Sequence, residues 1–124
     1  MNCTLSLISL SCFQSSEAEG DEIYLVFRGE KIWPPTRKFK ELKSNEGLQI
    51  SFEISNIQMD KLIAVELWEH DLFFDDHLGS FEFLIDTIGN DFVSDLKRTK
   101  SNAVHKYSLT WSSRVNAKQK LRVL

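Results

Sequence analysis

Apolar and polar residues alternate along most of the chain. In the first stretch the alternating apolar residues are Cys3, Leu5 and Leu7, followed out of phase by Ile8, Leu10 and Cys12. A period of two predicts a β-strand, because successive side chains of a strand point to opposite faces. The phase slip between positions 7 and 8 predicts a β-bulge in that strand.

Similar patterns recur downstream. The segment GLQISFEIS places Leu48, Ile50, Phe52 and Ile54 on one face, and LIAVELW separates Ile63, Val65 and Leu67 from Leu62, Ala64, Glu66 and Trp68. The segment GSFEFLID places Phe81, Phe83 and Ile85 together, and EIYLVF, YSLTW and QKLRVL complete the set of short β-rich runs. Turn-forming residues separate these runs, so the chain is predicted to form about eight strands.

One segment has helical spacing. In TIGNDFVSDLKRTK, residues 87–100, the apolar residues Ile88, Phe92 and Leu96 are four apart, and Lys97 lies near the end. This spacing predicts one short helix. Strands do not alternate regularly with helices, so a parallel α/β sheet is disfavoured. The sequence therefore predicts an all-β fold, an antiparallel eight-stranded β-sandwich with one short helix, over a single domain of residues 1–124.

Composition narrows the function classes. The 124 residues are 42% hydrophobic and 27% charged, which are ordinary globular values, and the net charge is −3. With no basic run interleaved with aromatics, nucleic-acid binding is not expected. The N-terminal segment lacks a basic start and a continuous apolar run, so a signal peptide is not predicted. We expect a soluble protein that is cytoplasmic or secreted by an unconventional route, with no small-molecule substrate evident.

The two cysteines are predicted to be free thiols. Cys3 and Cys12 lie in one predicted strand, about 30 Å apart at the usual strand rise. A disulfide needs Cα atoms within about 7 Å, so these two residues cannot bridge unless the strand prediction is wrong.

The stretch LWEHDLFFDDHLGSF, residues 67–81, is the most unusual in the chain. Leu72, Phe73 and Phe74 are adjacent, with acids on both sides, which fits neither a helix face nor an alternating strand. One interpretation is a loop whose carboxylates hold a cation while its tip touches an apolar surface. The other is an ordinary loop that folds its aromatic rings beneath itself.

Two segments resemble a C2 domain. GDEIYLVFRGEKIW resembles the C2 strand that begins with an aspartate. IAVELWEHDLFFDDHLGSFEFLI is similar to the most recognisable C2 stretch, an apolar strand, an acidic loop, a closing D-x-x-G element and a second apolar strand. Together they cover about a third of the chain. The resemblance implies a C2-like β-sandwich.

In C2 domains, carboxylates from separate loops at one end of the sandwich hold calcium, which needs six to eight oxygen ligands. The residues that match this pattern are Asp21, Glu69, Asp71 and Asp76, with Asp75 as a further oxygen source. Three departures stand against the site. Glu69 replaces the usual aspartate, the loop is one residue shorter than the common form, and Ser15 stands where another aspartate is expected. A calcium site and a degenerate loop with solvated acids both remain open.

The resemblance also gives the apolar triplet a role. In lipid-binding C2 domains, apolar loop tips enter the membrane once calcium neutralises the acids. Leu72, Phe73 and Phe74 occupy that position, so they are predicted to contact a phospholipid membrane or a protein partner. If instead the rings pack beneath the loop, they belong to the core.

Enzymatic function is not predicted. His70 and His77 flank acids, but no third ligand or catalytic motif accompanies them. Two hypotheses follow. The first is a non-enzymatic C2-like binding module, with or without calcium dependence, that acts through the loop 69–77. The second is a calcium-independent structural or assembly protein that uses the sandwich as a protein–protein interaction scaffold.

Overall fold

A computed structural model describes residues 1–116 of the chain. The predicted strand QKLRVL lies outside the described residues. Within them the chain forms ten strands: β1 (Asn2–Gln14), β2 (Asp21–Phe27), β3 (Glu30–Trp33), β4 (Lys40–Leu42), β5 (Glu46–Gln58), β6 (Leu62–Glu69), β7 (Asp76–Leu84), β8 (Gly89–Asp95), β9 (Lys97–Arg98) and β10 (Lys106–Val115).

The strands form two antiparallel sheets. The first has the order β5-β1-β10-β8. The second has the order β3-β2-β6-β7-β9, and β4 also pairs with β2. Residues from both sheets form one hydrophobic cluster, as the alternating pattern predicts for a sandwich. The all-β prediction is confirmed.

The β1 strand contains the bulge that the phase slip predicts. Its pairing with both β10 and β5 shifts register between Leu7 and Ser9. As a result Leu7 and Leu10, three residues apart, both point inward and are fully buried. Cys3 and Cys12 are buried on the same face as free thiols, which confirms the cysteine prediction.

The predicted helix over residues 87–100 is wrong. Gly89–Asp95 is the strand β8, which pairs with β10, and residues 1–116 contain no α-helix. Apolar residues four positions apart fit both the helical period of 3.6 and the strand period of two. Phe92 and Leu96 lie four apart and pack against the core from an extended chain, with the Phe92 ring 4.7 Å from that of Trp111. The predicted number of eight strands is also too low, because β8 was predicted to be a helix, and β3, β4 and β9 are too short for a period to show.

No helix that could cross a membrane occurs in this described part.

Candidate functional site

The β6–β7 hairpin brings the acidic stretch to one end of the second sheet. β6 ends at Glu69 and β7 begins at Asp76, and these two residues pair across the hairpin. Residues 70–75 therefore form the connecting loop. On the other side of β6, Glu69 pairs with Ile23 of β2. The start of β2, with Asp21, thus lies at the same end of the molecule as the loop.

The loop exposes its apolar triplet almost completely. The exposed fractions are 90% for Leu72, 87% for Phe73 and 86% for Phe74. Neither ring packs beneath the loop. We call these three residues the apolar tip. Three adjacent large apolar side chains with this exposure form a surface patch, and such patches on soluble proteins mark contact sites.

The base of the loop is held by hydrogen bonds. The Asp75 carboxylate accepts bonds from the Tyr24 hydroxyl (2.5 Å) and from the backbone N–H of Asp71 (3.1 Å). The backbone N–H of His70 donates to the carbonyl oxygen of Glu22 at 2.7 Å. The bond from Tyr24 stabilises the charged carboxylate, which lowers the pKa of Asp75. Asp75 is therefore a structural residue of the loop.

Asp21 is fully buried rather than open to a loop surface. Its carboxylate accepts hydrogen bonds from the backbone N–H groups of Ser16 (2.8 Å) and Glu17 (3.1 Å) and from the Tyr107 hydroxyl (2.5 Å). Burial, together with this bond, raises the pKa of Tyr107, so its hydroxyl keeps the proton that it donates. Asp21 thereby fixes the loop before β2 to the start of β10.

Glu69 is the neighbour of Asp21 in this buried group and is only 5% exposed. Burial, the hydrogen bond with the Asp21 carboxyl group and the negative charge of Asp21 together raise the pKa of Glu69 to about 8. At neutral pH the Glu69 carboxyl group is therefore mainly protonated. A shared proton holds the two side chains together.

The predicted calcium ligands do not fit a calcium ion as they are arranged. Asp21 and Glu69 are buried and hydrogen-bonded to each other, whereas Asp71, Asp75 and Asp76 are exposed. Within residues 1–116, no group of three or more His, Cys, Asp or Glu side chains is placed to hold a metal ion. Calcium needs six to eight oxygens, and the oxygens of Asp21 are already engaged.

Asp76 faces a separate small cavity of about 140 Å³ beside β7. His77 and His105 also line it. The ring nitrogens of His105 are engaged by the Ser16 hydroxyl (3.1 Å) and the Leu78 carbonyl oxygen (2.8 Å). His105 therefore has no ring nitrogen left for a metal ion or for proton transfer to a ligand.

A cleft of about 260 Å³ opens next to the apolar tip. We call it the acidic cleft, and its lining residues are Glu17, Glu22, Phe39, His70, Asp71 and Leu72. The Phe39 ring stacks on His70 with the centroids 5.0 Å apart. The sequence pattern identified neither Glu22 nor Phe39, nor the role of Tyr107, because the fold brings them here from β2, the segment before β4 and β10. Local spacing carries no signal for such contacts.

Comparison with known proteins gives matches among solved structures but none among family models or curated sequences. Among solved structures 29 chains match, and one of them is described as the structure of a C2 domain. The two structures superimpose with a TM-score of 0.53 at 16% sequence identity, over 93% of this chain and 99% of that one. At this identity the match shows the fold alone. The chain has the fold of a C2 domain.

Proposed function

We propose that this protein is a non-catalytic binding module that contacts its partner through the apolar tip, without calcium. The observation that carries the proposal is the 86–90% exposure of three consecutive large apolar side chains at the end of a sandwich. Burying one such side chain contributes about 1.5–3 kcal/mol, so covering all three would supply a large share of a specific contact.

The support beneath the tip favours binding. Tyr24, His70 and Asp75 fix the base of the loop through side-chain and backbone hydrogen bonds. A loop that is already ordered loses little conformational entropy when a partner covers it. The free energy gained by covering the tip is therefore not offset by an entropic cost of ordering the loop.

Calcium independence is supported by the buried pair. In a calcium-binding loop the crowded carboxylates need the cation to offset their repulsion. Here the backbone N–H groups of Ser16 and Glu17 and the Tyr107 hydroxyl already donate to the Asp21 carboxylate. The contact then needs no metal-dependent change at this end of the sandwich.

Assembly through sheet edges is the other function considered. β5 is a long edge strand of thirteen residues whose single strand neighbour in the described sheets is β1. However, Ser51 and Asn56 within it have positive φ angles of 53° and 58°. Such irregular positions interrupt an edge and hinder pairing with another strand. The apolar tip is the better candidate for the contact.

The double variant Phe73→Ser/Phe74→Ser should fold as stably as the wild type, within about 0.5 kcal/mol, because exposed rings contribute little to the core. Urea denaturation measures this. A loss of several kcal/mol, typical of core residues, would show that the rings are buried in solution. The matched control is Leu62→Ser/Leu84→Ser, a cross-strand pair at the far end of the same hairpin with 64% and 53% exposure.

Binding is tested with the same two variants. The full chain is used to select from a random-peptide display library in the presence of a calcium chelator. It is also sedimented with phosphatidylcholine vesicles and with vesicles that contain phosphatidylserine. Ligand binding that is lost in Phe73→Ser/Phe74→Ser and kept in Leu62→Ser/Leu84→Ser supports the proposed function. Absence of binding to every probe, or equal loss in both variants, would overturn it.

Calcium at millimolar concentration should leave the melting temperature of the protein unchanged relative to chelator. A ligand that binds only the native state raises the melting temperature, so a clear rise would contradict calcium independence. Asp71→Asn is the informative variant. If calcium does raise the melting temperature, this variant should abolish the rise, which would assign the ion to the loop. If calcium has no effect, the variant should melt close to the wild type.

A further inference from the structure

The acidic cleft and the apolar tip form one continuous surface, because Leu72 belongs to both. Three carboxylates line the cleft, those of Glu17, Glu22 and Asp71, and its aromatic wall is Phe39 stacked on His70. On the other side of the tip are the acids Asp75 and Asp76. A partner that covers the tip therefore meets negative charge around an apolar centre.

The three cleft carboxylates have no cationic partner in the described part of the chain. None of them forms an ion pair with a lysine or arginine there, although Lys38 and Lys40 flank Phe39 in the sequence. The carboxylates of Glu17, Glu22 and Asp71 line the same cleft, so their negative charges repel one another. A positive group in the cleft would relieve this repulsion.

The size of the cleft disfavours a small-molecule ligand, and its charge disfavours an anionic membrane. The cleft of about 260 Å³ lies below the range of about 300–1,000 Å³ that is usual for small-molecule sites, but it accommodates one long side chain. An anionic membrane surface attracts basic segments and repels carboxylates. Without calcium to neutralise them, the acids beside the tip oppose contact with such a membrane.

We infer that the partner is a protein segment in which a lysine or arginine stands beside apolar side chains, the cation entering the acidic cleft while the apolar residues cover the tip. This inference rests on the proposed function, since the exposed tip is what requires a partner at this end. Arginine and lysine are attracted both to carboxylates and to aromatic faces such as Phe39. Charge complementarity of this kind selects partners and accelerates their association.

The test uses the peptides that the display selection yields. Glu17→Gln/Glu22→Gln/Asp71→Asn removes the three charges of the cleft with little change in shape. Its matched control is Glu30→Gln/Asp60→Asn/Asp86→Asn, which removes three charges at the opposite end of the second sheet. Urea denaturation first establishes that both variants fold. Peptide affinity is then measured by fluorescence anisotropy at low and high salt.

We expect the enriched peptides to carry lysine or arginine next to apolar residues. Their affinity should fall roughly tenfold or more in the cleft variant and change less than about twofold in the control, and high salt should weaken binding to the wild type. Peptides with no basic residue, or equal affinity in both variants, would overturn the inference. Binding to vesicles alone would also overturn it. If binding in these cases still depends on Phe73 and Phe74, the proposed function stands.

Discussion

Replacing Asp21 with alanine is expected to lower the free energy of unfolding by about 3–5 kcal/mol in calcium-free buffer. The substitution removes a fully buried side chain that accepts hydrogen bonds from two backbone N–H groups and from the buried Tyr107 hydroxyl. It also removes the partner of the buried Glu69 carboxyl group. Unsatisfied buried donors cost far more than the loss of an exposed charge.

Asp76→Ala is the control for this experiment, because Asp76 belongs to the same predicted ligand set but is exposed. Its effect should stay within about 0.5 kcal/mol. Urea denaturation of both variants, with a chelator present, gives the comparison. If Asp21→Ala were as stable as Asp76→Ala, then Asp21 would not be the structural centre that the geometry indicates, and a role as an open metal ligand would regain support.

The sequence predicted those parts of the fold that depend on a period of two. The β1 strand shows why: its inward residues must be apolar on both sides of the bulge, so the inserted residue appears as a phase slip between Leu7 and Ile8. The strands β6 and β7 are visible for the same reason. Position 79 in the D-x-x-G element requires glycine, because a Cβ atom there would collide with the carbonyl oxygen of Lys97 in β9.

The same pattern led to the wrong prediction of a helix where the structure has β8. Ile88, Phe92 and Leu96 satisfy both a helical stripe and alternate positions of a strand, and no residue between them breaks the ambiguity. Contacts with β10 select the strand: Trp111 pairs with Phe92 and donates a hydrogen bond to the Ser94 hydroxyl at 3.0 Å. Tertiary contacts of this kind cannot be obtained from the periodicity of one segment.

The candidate site was likewise predictable only in part from the sequence. Sequence reasoning placed Asp21 and the loop 69–77 at one end, because the two segments resemble parts of one fold. It could not give the role of Asp21, since this depends on Tyr107, which is 86 residues away and carries no local signal. Exposure of the apolar tip was one of two alternatives until the structure was known, because a run of three apolar residues is compatible with either.

The buried pair of Asp21 and Glu69 gives the stability of this protein a dependence on pH. The pKa of Glu69 is raised from an ordinary 4.5 to about 8, with burial as the main cause and Asp21 as the next. Between these two values the folded state binds a proton that the unfolded state has released. The free energy of unfolding therefore falls as pH rises through this window, and the contribution of Glu69 is largest below the lower value.

The melting temperature of the wild type is accordingly expected to fall by several degrees between about pH 5 and about pH 9. Glu69→Gln should remove most of that fall, since its neutral amide still donates a hydrogen bond to Asp21 but has no proton to lose. Every other side chain is the same in both proteins, so the difference between the two curves isolates Glu69. The variant should match the wild type at the acidic end and melt higher at the basic end. Parallel curves would show that Glu69 is ionised in the folded protein at neutral pH, and the shared proton would then have to be abandoned.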